Sequence, residues 1–310
     1  MKELFTILLG FFAIIAFILS PVFRCMIFHP FKSLFNGIKD FYKYIKYKRW
    51  NEAPFGKIIG YIADSGKKFG CGKTLTAVQY LNLLYDKYNN KMVWCPERKK
   101  MVKQEVLILS NVKLTKVPYL NFVSLKQYVS LLKEMYESDR ENDKVTVIYA
   151  FIDEASSLLN SRSFKENLAA PVIQSLLTCR HYHSSLYYSS QKSRNVDALL
   201  RGVTSHYEGC DKFWRYQKVN FYDVDEIEYA TDPTKVKPYK RTCWFIEDKH
   251  FAKYNTYELL QTIDKKVNEN DFMTEEEILS HLQIPDPNID GVMKPSKKYL
   301  KSRKKLNRKL

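Results

Sequence analysis

Two short segments of this sequence carry the residue types that chemistry on a nucleotide phosphate needs. The first is the glycine loop Gly70-Cys71-Gly72-Lys73-Thr74, in a chain with only ten glycines among 310 residues. It follows an apolar stretch, 57–63, that predicts a buried strand, and it opens a stretch, 73–84, with apolar residues at helical spacing. A strand, a glycine loop and a helix make a P-loop, whose backbone N–H groups and helix N-terminus bind phosphates.

The polar residues of this loop have expected tasks. We expect Lys73 to reach the β- and γ-phosphates of ATP and the Thr74 hydroxyl to bind Mg²⁺. In the pattern GxxxxGK[ST] the first glycine would fall at Lys67, but the nearest glycine is Gly66, one residue early. The loop is therefore longer by one residue, or its first turn differs. The residues predicted to bind the nucleotide are Gly66, Gly70, Cys71, Gly72, Lys73 and Thr74.

The second segment is an apolar run, 145–152, that ends in Asp153 and Glu154. The run predicts a buried parallel strand, which delivers both carboxylates to the sheet edge where open α/β folds bind ligands. We expect Asp153 to hold Mg²⁺ through its water shell, and Glu154 to orient and polarise the attacking water. A chance Asp-Glu pair that starts the next helix is the alternative, and the P-loop argues against it.

A third stretch, 184–191, predicts another strand with Gln191 at its tip. A glutamine there can hydrogen-bond the γ-phosphate or the attacking water without adding charge, which would make it part of the catalytic set. An ordinary glutamine at a strand end is the alternative.

The composition excludes several other classes of protein. The chain is 45% apolar, which is enough to bury a core, and its six cysteines are scattered without a CxxC pair. This pattern argues against a disulfide framework and fits a reducing cytosol. The sequence contains no Ser/His/Asp set with its nucleophile in a recognisable turn, which argues against a hydrolase of the serine type. The remaining candidates for a metal site fit no common zinc spacing: Cys179, His181, His183, His206 and Cys210.

The N-terminus predicts attachment to a membrane. Residues 4–23 form a 20-residue run without a charge, about 30 Å long as a helix, which matches the apolar thickness of a bilayer. A cleaved signal peptide is the alternative, but no small-residue cleavage site follows. Residues 24–50 carry seven Lys or Arg against Asp40 alone. We therefore expect a single-pass protein of the host cell membrane whose C-terminal domain lies in the cytoplasm. This basic segment either lies on the membrane surface or forms a solvated helix.

These patterns predict an α/β protein: a RecA-like P-loop NTPase with a mostly parallel sheet, preceded by one N-terminal transmembrane helix. The predicted segments are the span at 1–23, a basic juxtamembrane segment at 24–50, the ATPase domain at 51–265, a short helical extension at 266–293 and a tail at 294–310. The net charge of +16 lies in the two flanks, and the tail alone carries nine cations and no acid. We expect a disordered tail that contacts nucleic-acid phosphates or the inner leaflet; a merely solubilising tail is the alternative.

The order of motifs from the acidic strand onward resembles the zonula occludens toxin-like family, the assembly ATPases of filamentous phages, near the FtsK–HerA motors. The resemblance covers roughly residues 57–215 and rests on order and spacing. The motifs are Asp153-Glu154-Ala155, Arg162, Leu177-Thr178-Cys179-Arg180-His181-Tyr182-His183, Ser190-Gln191 and Val196-Asp197-Ala198-Leu199-Leu200-Arg201.

The resemblance implies an inner-membrane ATP hydrolase that drives extrusion of single-stranded DNA phage, with coat proteins and single-stranded DNA as partners. It also implies a homo-oligomeric ring with nucleotide between neighbours, in which Arg180 or Arg201 acts in trans on the γ-phosphate. An ordinary ion pair is the alternative for either arginine. The sequence departs from the family because its apolar segment precedes the ATPase domain, and the region after residue 250 is short and basic.

Two other functions stay open. A conjugation-type DNA-coupling ATPase usually carries a larger inserted all-α domain, for which residues 75–145 leave little room. A non-catalytic adsorption or membrane scaffold protein with a degenerate nucleotide site would account for the displaced Gly66. The intact Lys73, Thr74, Asp153 and Glu154 argue against it.

Overall fold

The computed structural model describes residues 11, 20–64, 69–159, 170–254, 273, 277–278 and 280–284. The chain forms two compact units, one made of residues 1–52 with 92–101 and the other of the remainder. Most of the predicted span at 4–23 lies outside the described residues, as do the tail at 294–310 and Gly66. Among the described helices, none is both long and apolar enough to cross a bilayer.

The first unit contains two consecutive helices and the tip of a hairpin. Helix α1 (Pro21–Phe28) begins after Ser20, whose hydroxyl accepts the Phe23 N–H at 3.3 Å, and helix α2 (Pro30–Lys46) follows it. Strand β2 (Lys91–Cys95) pairs with β3 (Lys100–Ser110). Tyr47 stacks on Trp94 with ring centroids 4.2 Å apart, which ties the end of α2 to this hairpin.

The second unit is built on a mixed sheet whose order is β10-β4-β3-β5-β6-β1-β7-β8-β9. From β4 to β7 the described strands run parallel, and β8, β9 and β10 are antiparallel additions at the two ends. The remaining strands are β1 (Ile58–Ala63), β4 (Tyr119–Asn121), β5 (Lys144–Ile152), β6 (Ser184–Ser189), β7 (His206–Phe213), β8 (Tyr216–Tyr222), β9 (Lys240–Phe245) and β10 (Leu282–Gln283). The predicted α/β fold with a mostly parallel sheet is confirmed.

Helices cover both faces of this sheet. Helix α3 (Lys73–Tyr88) packs Val78 and Leu81 against one face, and α4 (Leu125–Glu141) packs Tyr128 and Leu132 against the other. The shorter helices are α5 (Ala155–Leu158), α6 (Ala170–Leu177), α7 (Ala198–Gly202), α8 (Val224–Tyr229) and α9 (Asp248–Phe251). A sheet covered on both faces buries its central strands, so such strands are mostly apolar and do not alternate with polar residues.

Strand β5 shows this most clearly, because its residues are apolar on both faces. Tyr149 and Phe151 join the core under α3, whereas Ile148 and Ala150 join the core under α4, as a period of two requires. The strand ends at Ile152, so the next two residues leave the sheet at its carboxyl edge.

Antiparallel strands complete the sheet at its two ends, and one of them departs from the sequence prediction. At one end, β8 and β9 extend the sheet as a continuous antiparallel meander with β7. Strand β10 comes from the segment predicted as a short helical extension, and it pairs with the edge strand β4 through Leu282 and Leu120. This pairing covers the edge of β4, which would otherwise expose unpaired backbone groups.

Candidate phosphate-binding site

The loop after β1 has the backbone that a tight phosphate loop needs. Gly70 and Gly72 have φ values of 67° and 85°, in the left-handed region that glycine enters without strain. Gly72 lies directly before α3, and its carbonyl accepts the Thr76 N–H at 2.9 Å and the Thr76 hydroxyl at 2.8 Å. The loop therefore leads straight into the helix, whose N-terminal dipole is directed at the space above the sheet edge.

The hydroxyl of Thr74 and the carboxylate of Asp153 meet at this edge. Thr74 Oγ1 lies 3.0 Å and 2.9 Å from the two carboxylate oxygens of Asp153, so the hydroxyl donates to this carboxylate. The two residues are 79 positions apart in the chain and belong to different elements. The structure thus brings together the two predicted Mg²⁺ ligands.

Two further side chains fix the position of Asp153. The hydroxyl of Ser189, at the end of β6, donates to Asp153 Oδ1 at 2.5 Å. Asn111, just after β3, accepts the Asp153 N–H at 2.8 Å and donates to its carbonyl at 3.3 Å. Asp153 is 7% exposed, and burial raises the pKa of its carboxyl, while hydrogen bonds from Ser189 and Thr74 and the charge of Lys73 act in the opposite direction.

Glu154 is the second carboxylate and is half-buried. It has a φ of 51°, a conformation that non-glycine residues rarely adopt, and it lies immediately before α5. Its N–H donates to the Ser189 hydroxyl at 2.9 Å, so one serine holds both acidic residues. Burial and the neighbouring Asp153 raise the pKa of the Glu154 carboxyl, and Lys73 lowers it. Such a shift moves a carboxylate toward the pKa that suits proton transfer near neutral pH.

Lys73 is only 7% exposed, which is unusual for a lysine, because a buried ammonium group needs a partner of opposite charge. Its Nζ lies 3.9 Å from Cys71 Sγ and is close enough to both carboxylates to lower their pKa values. Cys71 is buried, so its contribution to the loop is packing and its backbone. Lys73, Asp153 and Glu154 form a single charged cluster at the carboxyl edge of the sheet.

Strand β8 holds both ends of the loop, which the sequence did not indicate. The fully buried Gln217 donates from Nε2 to the Cys71 carbonyl at 2.9 Å. At the other end, the Asp64 carboxylate accepts hydrogen bonds from Tyr222, at 2.9 Å, and from Asn220. Gln217, Asn220 and Tyr222 therefore fix the entry and the exit of the loop from one neighbouring strand.

Gln191 lies two residues beyond the end of β6, whose last residue, Ser189, contacts both acidic residues. The preceding residue, Ser190, donates its N–H to the Tyr61 carbonyl at 2.9 Å, which places this turn between the ends of β1 and β5. Gln191 is partly exposed at the same sheet edge as Glu154. This is where the sequence predicted it.

The two candidate arginines lie elsewhere. Arg180 is exposed and precedes β6, and its side chain lies against Gly56 at the amino edge of the sheet. The length of β6, about 20 Å, separates it from the acidic pair of its own subunit. Arg201, in α7, forms an ion pair with Glu228, and its Nε donates to the Val196 carbonyl at 3.1 Å. Neither arginine belongs to the charged cluster within one chain.

The described residues contain no group of three or more His, Cys, Asp or Glu side chains arranged to hold a metal ion. Cys179 and Cys210 are buried in different parts of the core, on opposite faces of the sheet.

Comparisons with known proteins give similarities of structure only. No protein-family model matches the sequence, and no curated protein sequence matches it. The N-terminal domain of zonular occludens toxin from Neisseria meningitidis is similar at 16% identity and a TM-score of 0.38, covering 64% of this chain and 99% of that one. The zonula occludens toxin family, which the motifs resemble, is thus represented among the similar structures.

Two other similar structures are NTPases. The genome packaging NTPase B204 of Sulfolobus turreted icosahedral virus 2, in complex with ATP-gammaS, matches at 13% identity and a TM-score of 0.34, covering 62% of this chain and 93% of that one. ATPases 2 and 3 of EssC from Geobacillus thermodenitrificans match at 12% identity and a TM-score of 0.36, covering 61% of this chain and 38% of that one.

Proposed function

We propose that this chain is a Mg²⁺-dependent ATPase, attached to the host cell membrane, that drives phage assembly or the export of single-stranded DNA. The observation that carries the ATPase assignment is the contact between Thr74 and Asp153, at 2.9 Å and 3.0 Å. A hydroxyl at the start of the P-loop helix and a carboxylate at the end of a parallel strand meet here beside a buried lysine.

The residues present fit a nucleotide with its cation. Mg²⁺ prefers oxygen ligands and is usually held by one or two carboxylates together with substrate phosphates and water. Thr74 and Asp153 supply such oxygens side by side, within 3.0 Å of each other, and the positive φ values of Gly70 and Gly72 suit a loop that turns its backbone toward phosphates. When bound, the cation neutralises negative charge on the β- and γ-phosphates.

Glu154 is the group that we assign to the attacking water. It lies next to Asp153 but is only half-buried, so it can contact a water molecule at the sheet edge. Its raised pKa makes it a stronger base than an ordinary glutamate. Gln191, on the neighbouring turn, orients the γ-phosphate or the same water without adding charge.

A ring of subunits would complete the site. Neither candidate arginine joins the charged cluster of its own chain, because Arg180 lies at the far edge of the sheet and Arg201 is paired with Glu228. A neighbouring subunit is therefore the source of the arginine in this proposal. Arg180 is the better candidate because it is exposed, whereas Arg201 would first have to leave a partly buried ion pair.

The motor role in phage assembly rests on the sequence resemblance and on the apolar run at 4–23. Between α3 and β5 the chain forms strands β2, β3 and β4 and the single helix α4, which leaves no separate all-α domain of the kind that coupling ATPases carry. This observation favours an assembly motor over a conjugation ATPase.

The rate of ATP hydrolysis by the purified full chain tests the proposal that the protein is a Mg²⁺-dependent ATPase. Wild-type protein should hydrolyse ATP only with Mg²⁺, and Lys73→Ala should weaken ATP binding because the phosphates lose their cation. Lys57→Ala is the matched control, since Lys57 is exposed at the amino end of β1. Equal ATP affinity of wild type and Lys73→Ala would contradict the nucleotide site.

Membrane attachment and cargo need separate measurements. In cells, the protein should stay with the membrane after an alkaline wash, and protease added outside should leave a C-terminal tag intact. Single-stranded DNA should raise the rate of ATP hydrolysis more than duplex DNA does. Release by the wash would contradict the membrane assignment, and an unchanged rate would contradict a DNA cargo, while either result leaves the ATPase itself standing.

A further inference from the structure

Helix α2 displays a continuous apolar face that the described part of the protein leaves exposed. Successive residues of a helix are rotated by 100°, and on that geometry seven large side chains of α2 fall within an arc of about 120°. Their exposed fractions range from 49% for Ile45 to 86% for Phe31. The seven are Phe31, Leu34, Phe35, Ile38, Phe41, Tyr42 and Ile45.

Lysines occupy one flank of this face. Lys32, Lys39, Lys43 and Lys46 lie within an arc of about 60° directly beside the apolar arc, and Asp40 lies on the opposite side of the helix from Ile38. Lys46 Nζ lies 5.8 Å from the centre of the Tyr42 ring, so the cationic flank touches the apolar face. The charges therefore lie at the boundary between the apolar and polar halves of the helix.

Helix α1, which precedes α2 in the chain, carries further exposed apolar side chains. Val22 and Phe28 are 65% and 71% exposed, and Met26 and Ile27 are exposed as well. Soluble proteins rarely leave a contiguous apolar surface of this size in water, so α1 and α2 together require a partner. In the sequence, the apolar run 4–23 leads directly into this surface.

We propose that α2 lies in the plane of an anionic membrane surface, with its apolar face in the acyl boundary and its lysine flank at the lipid phosphates. An amphipathic helix with Phe and Leu on one face and Lys on the other binds interfaces in this way. The flanking position of the four lysines places their ammonium groups at headgroup depth, where anionic lipids attract them. At about 26 Å the helix is long enough to form a substantial anchor.

This inference rests on the membrane attachment in the proposed function. It adds α2 as a second site at which the protein contacts the membrane. A single apolar segment fixes a protein to the bilayer but leaves the attached domain free to tilt. A helix held in the interface restricts that freedom, because its axis is confined to the membrane plane. The partner surface is defined by its chemistry, namely phosphate headgroups with net negative charge over an apolar layer.

A pair of fluorescent labels on opposite faces of α2 tests the orientation in the full chain. The exposed Cys25 and Cys243 are first replaced by serine, and the environment-sensitive nitrobenzoxadiazole label is attached to Ile38→Cys or to Asn36→Cys. Positions 38 and 36 lie about 160° apart around the helix. Both proteins are reconstituted into vesicles of phosphatidylcholine with or without phosphatidylglycerol, and brominated lipid is added as the quencher.

With anionic vesicles we expect brominated lipid to quench the label at position 38 and to leave the label at position 36 in water. Lys39→Gln and Lys43→Gln should each lower the ratio of docked to undocked helix about five-fold, because each removes one cation from the headgroup layer. Phosphatidylcholine alone should give weak quenching. ATP hydrolysis is measured on the same samples, so a failed ATPase and a failed membrane helix are distinguishable.

Several outcomes would overturn the inference. Equal quenching at both positions, or none at either, means that α2 does not lie in the interface. A blue-shifted label at position 38 in the absence of vesicles, without quenching by brominated lipid, means that a second copy of the chain covers the apolar face. If quenching does not change with the lysine variants or with lipid charge, anionic lipid is not the partner of α2.

Discussion

Replacing Gly72 with alanine measures how tightly β8 holds the phosphate loop. An added Cβ at Gly72 would lie 2.8 Å from Gln217 Cδ and closer still to its Oε1, far inside van der Waals contact. Alanine at a φ of 85° also costs about 1–2 kcal/mol of backbone strain. Overpacking of a buried site adds about 1–3 kcal/mol. We therefore expect Gly72→Ala to lower the free energy of unfolding by about 2–5 kcal/mol.

Gly70→Ala separates the two costs. Gly70 has a similar φ of 67°, but none of the described atoms lies within 4 Å of a Cβ added there. This variant should therefore show the backbone strain alone, about 1–2 kcal/mol. The difference between the two alanine variants is the cost of the clash with Gln217.

Combining each glycine variant with Gln217→Ala completes the test. Gln217→Ala alone loses the 2.9 Å hydrogen bond to the Cys71 carbonyl and lowers stability. It also empties the space that a Cβ at position 72 would enter. The Gly72/Gln217 double variant should thus be more stable than the sum of its single effects by about 1–3 kcal/mol, whereas the Gly70/Gln217 pair should be additive within about 0.5 kcal/mol.

Urea unfolding followed by circular dichroism gives all six free energies on one scale. Additive effects for the Gly72/Gln217 pair would refute the contact between β8 and the loop. Equal coupling for both pairs would show that Gln217 acts on the whole loop and that no local clash exists.

Three further predictions follow from the same structure. Ser189→Ala should slow ATP turnover about ten-fold with little change in ATP affinity, since the hydroxyl's bond to the charged Asp153 carboxylate and its bond from the Glu154 N–H are both lost. Ser190→Ala, which loses a bond to the Lys192 carbonyl, is the control in steady-state assays. Asp153→Asn should raise the unfolding free energy of the nucleotide-free protein, because burial disfavours the charged carboxylate, and an unchanged or lower value would contradict that account. Burial lowers the pKa of His250, whose Nδ1 accepts the Glu247 N–H at 2.9 Å. The free energy of unfolding should therefore fall as the pH drops below about 6.5, where the unfolded chain gains a proton more readily than the folded one. His250→Asn should weaken this pH dependence in thermal melts from pH 5 to 8, roughly the histidine range.

The central part of the fold and site follows from the sequence for a physical reason. Strands buried on both faces are mostly apolar, so β1 and the part of β5 from residue 147 to 152 stand out as apolar runs, and β6 carries a short apolar centre between serines. Polar residues that follow such runs lie at the carboxyl edge of a parallel sheet. For this reason the sequence alone places Lys73, Thr74, Asp153, Glu154 and Gln191 at one edge.

The sequence indicates only some of the residues that position Asp153 and the glycine loop. Asn111 follows an apolar run in β3, which is the same signal that identified Asp153, so the sequence did contain it. Gln217 and Asn220 lie inside an antiparallel strand and contact the loop across 146 and 156 residues of chain. Nothing local distinguishes such a polar residue from one that faces water, because its partner is set by the tertiary fold.

The position of the arginines shows the same limit. A motif that contains an arginine does not say which edge of the sheet the guanidinium reaches. Arg180 and Arg201 are both close in sequence to β6, yet one lies at the amino edge and the other pairs with Glu228 in α8. Only the three-dimensional arrangement separates them from the charged cluster.

Single-turnover hydrolysis of ATP by Glu154→Gln tests the central claim most directly. The substitution keeps the size of the side chain and removes the base, while Lys73, Thr74 and Asp153 remain to bind Mg²⁺ and ATP. We predict unchanged ATP affinity and a rate of hydrolysis lower by about 10²–10⁴-fold than that of the wild type. Hydrolysis at the wild-type rate would contradict the assignment of Glu154, and loss of ATP binding would show that this residue belongs to the nucleotide-binding part of the site.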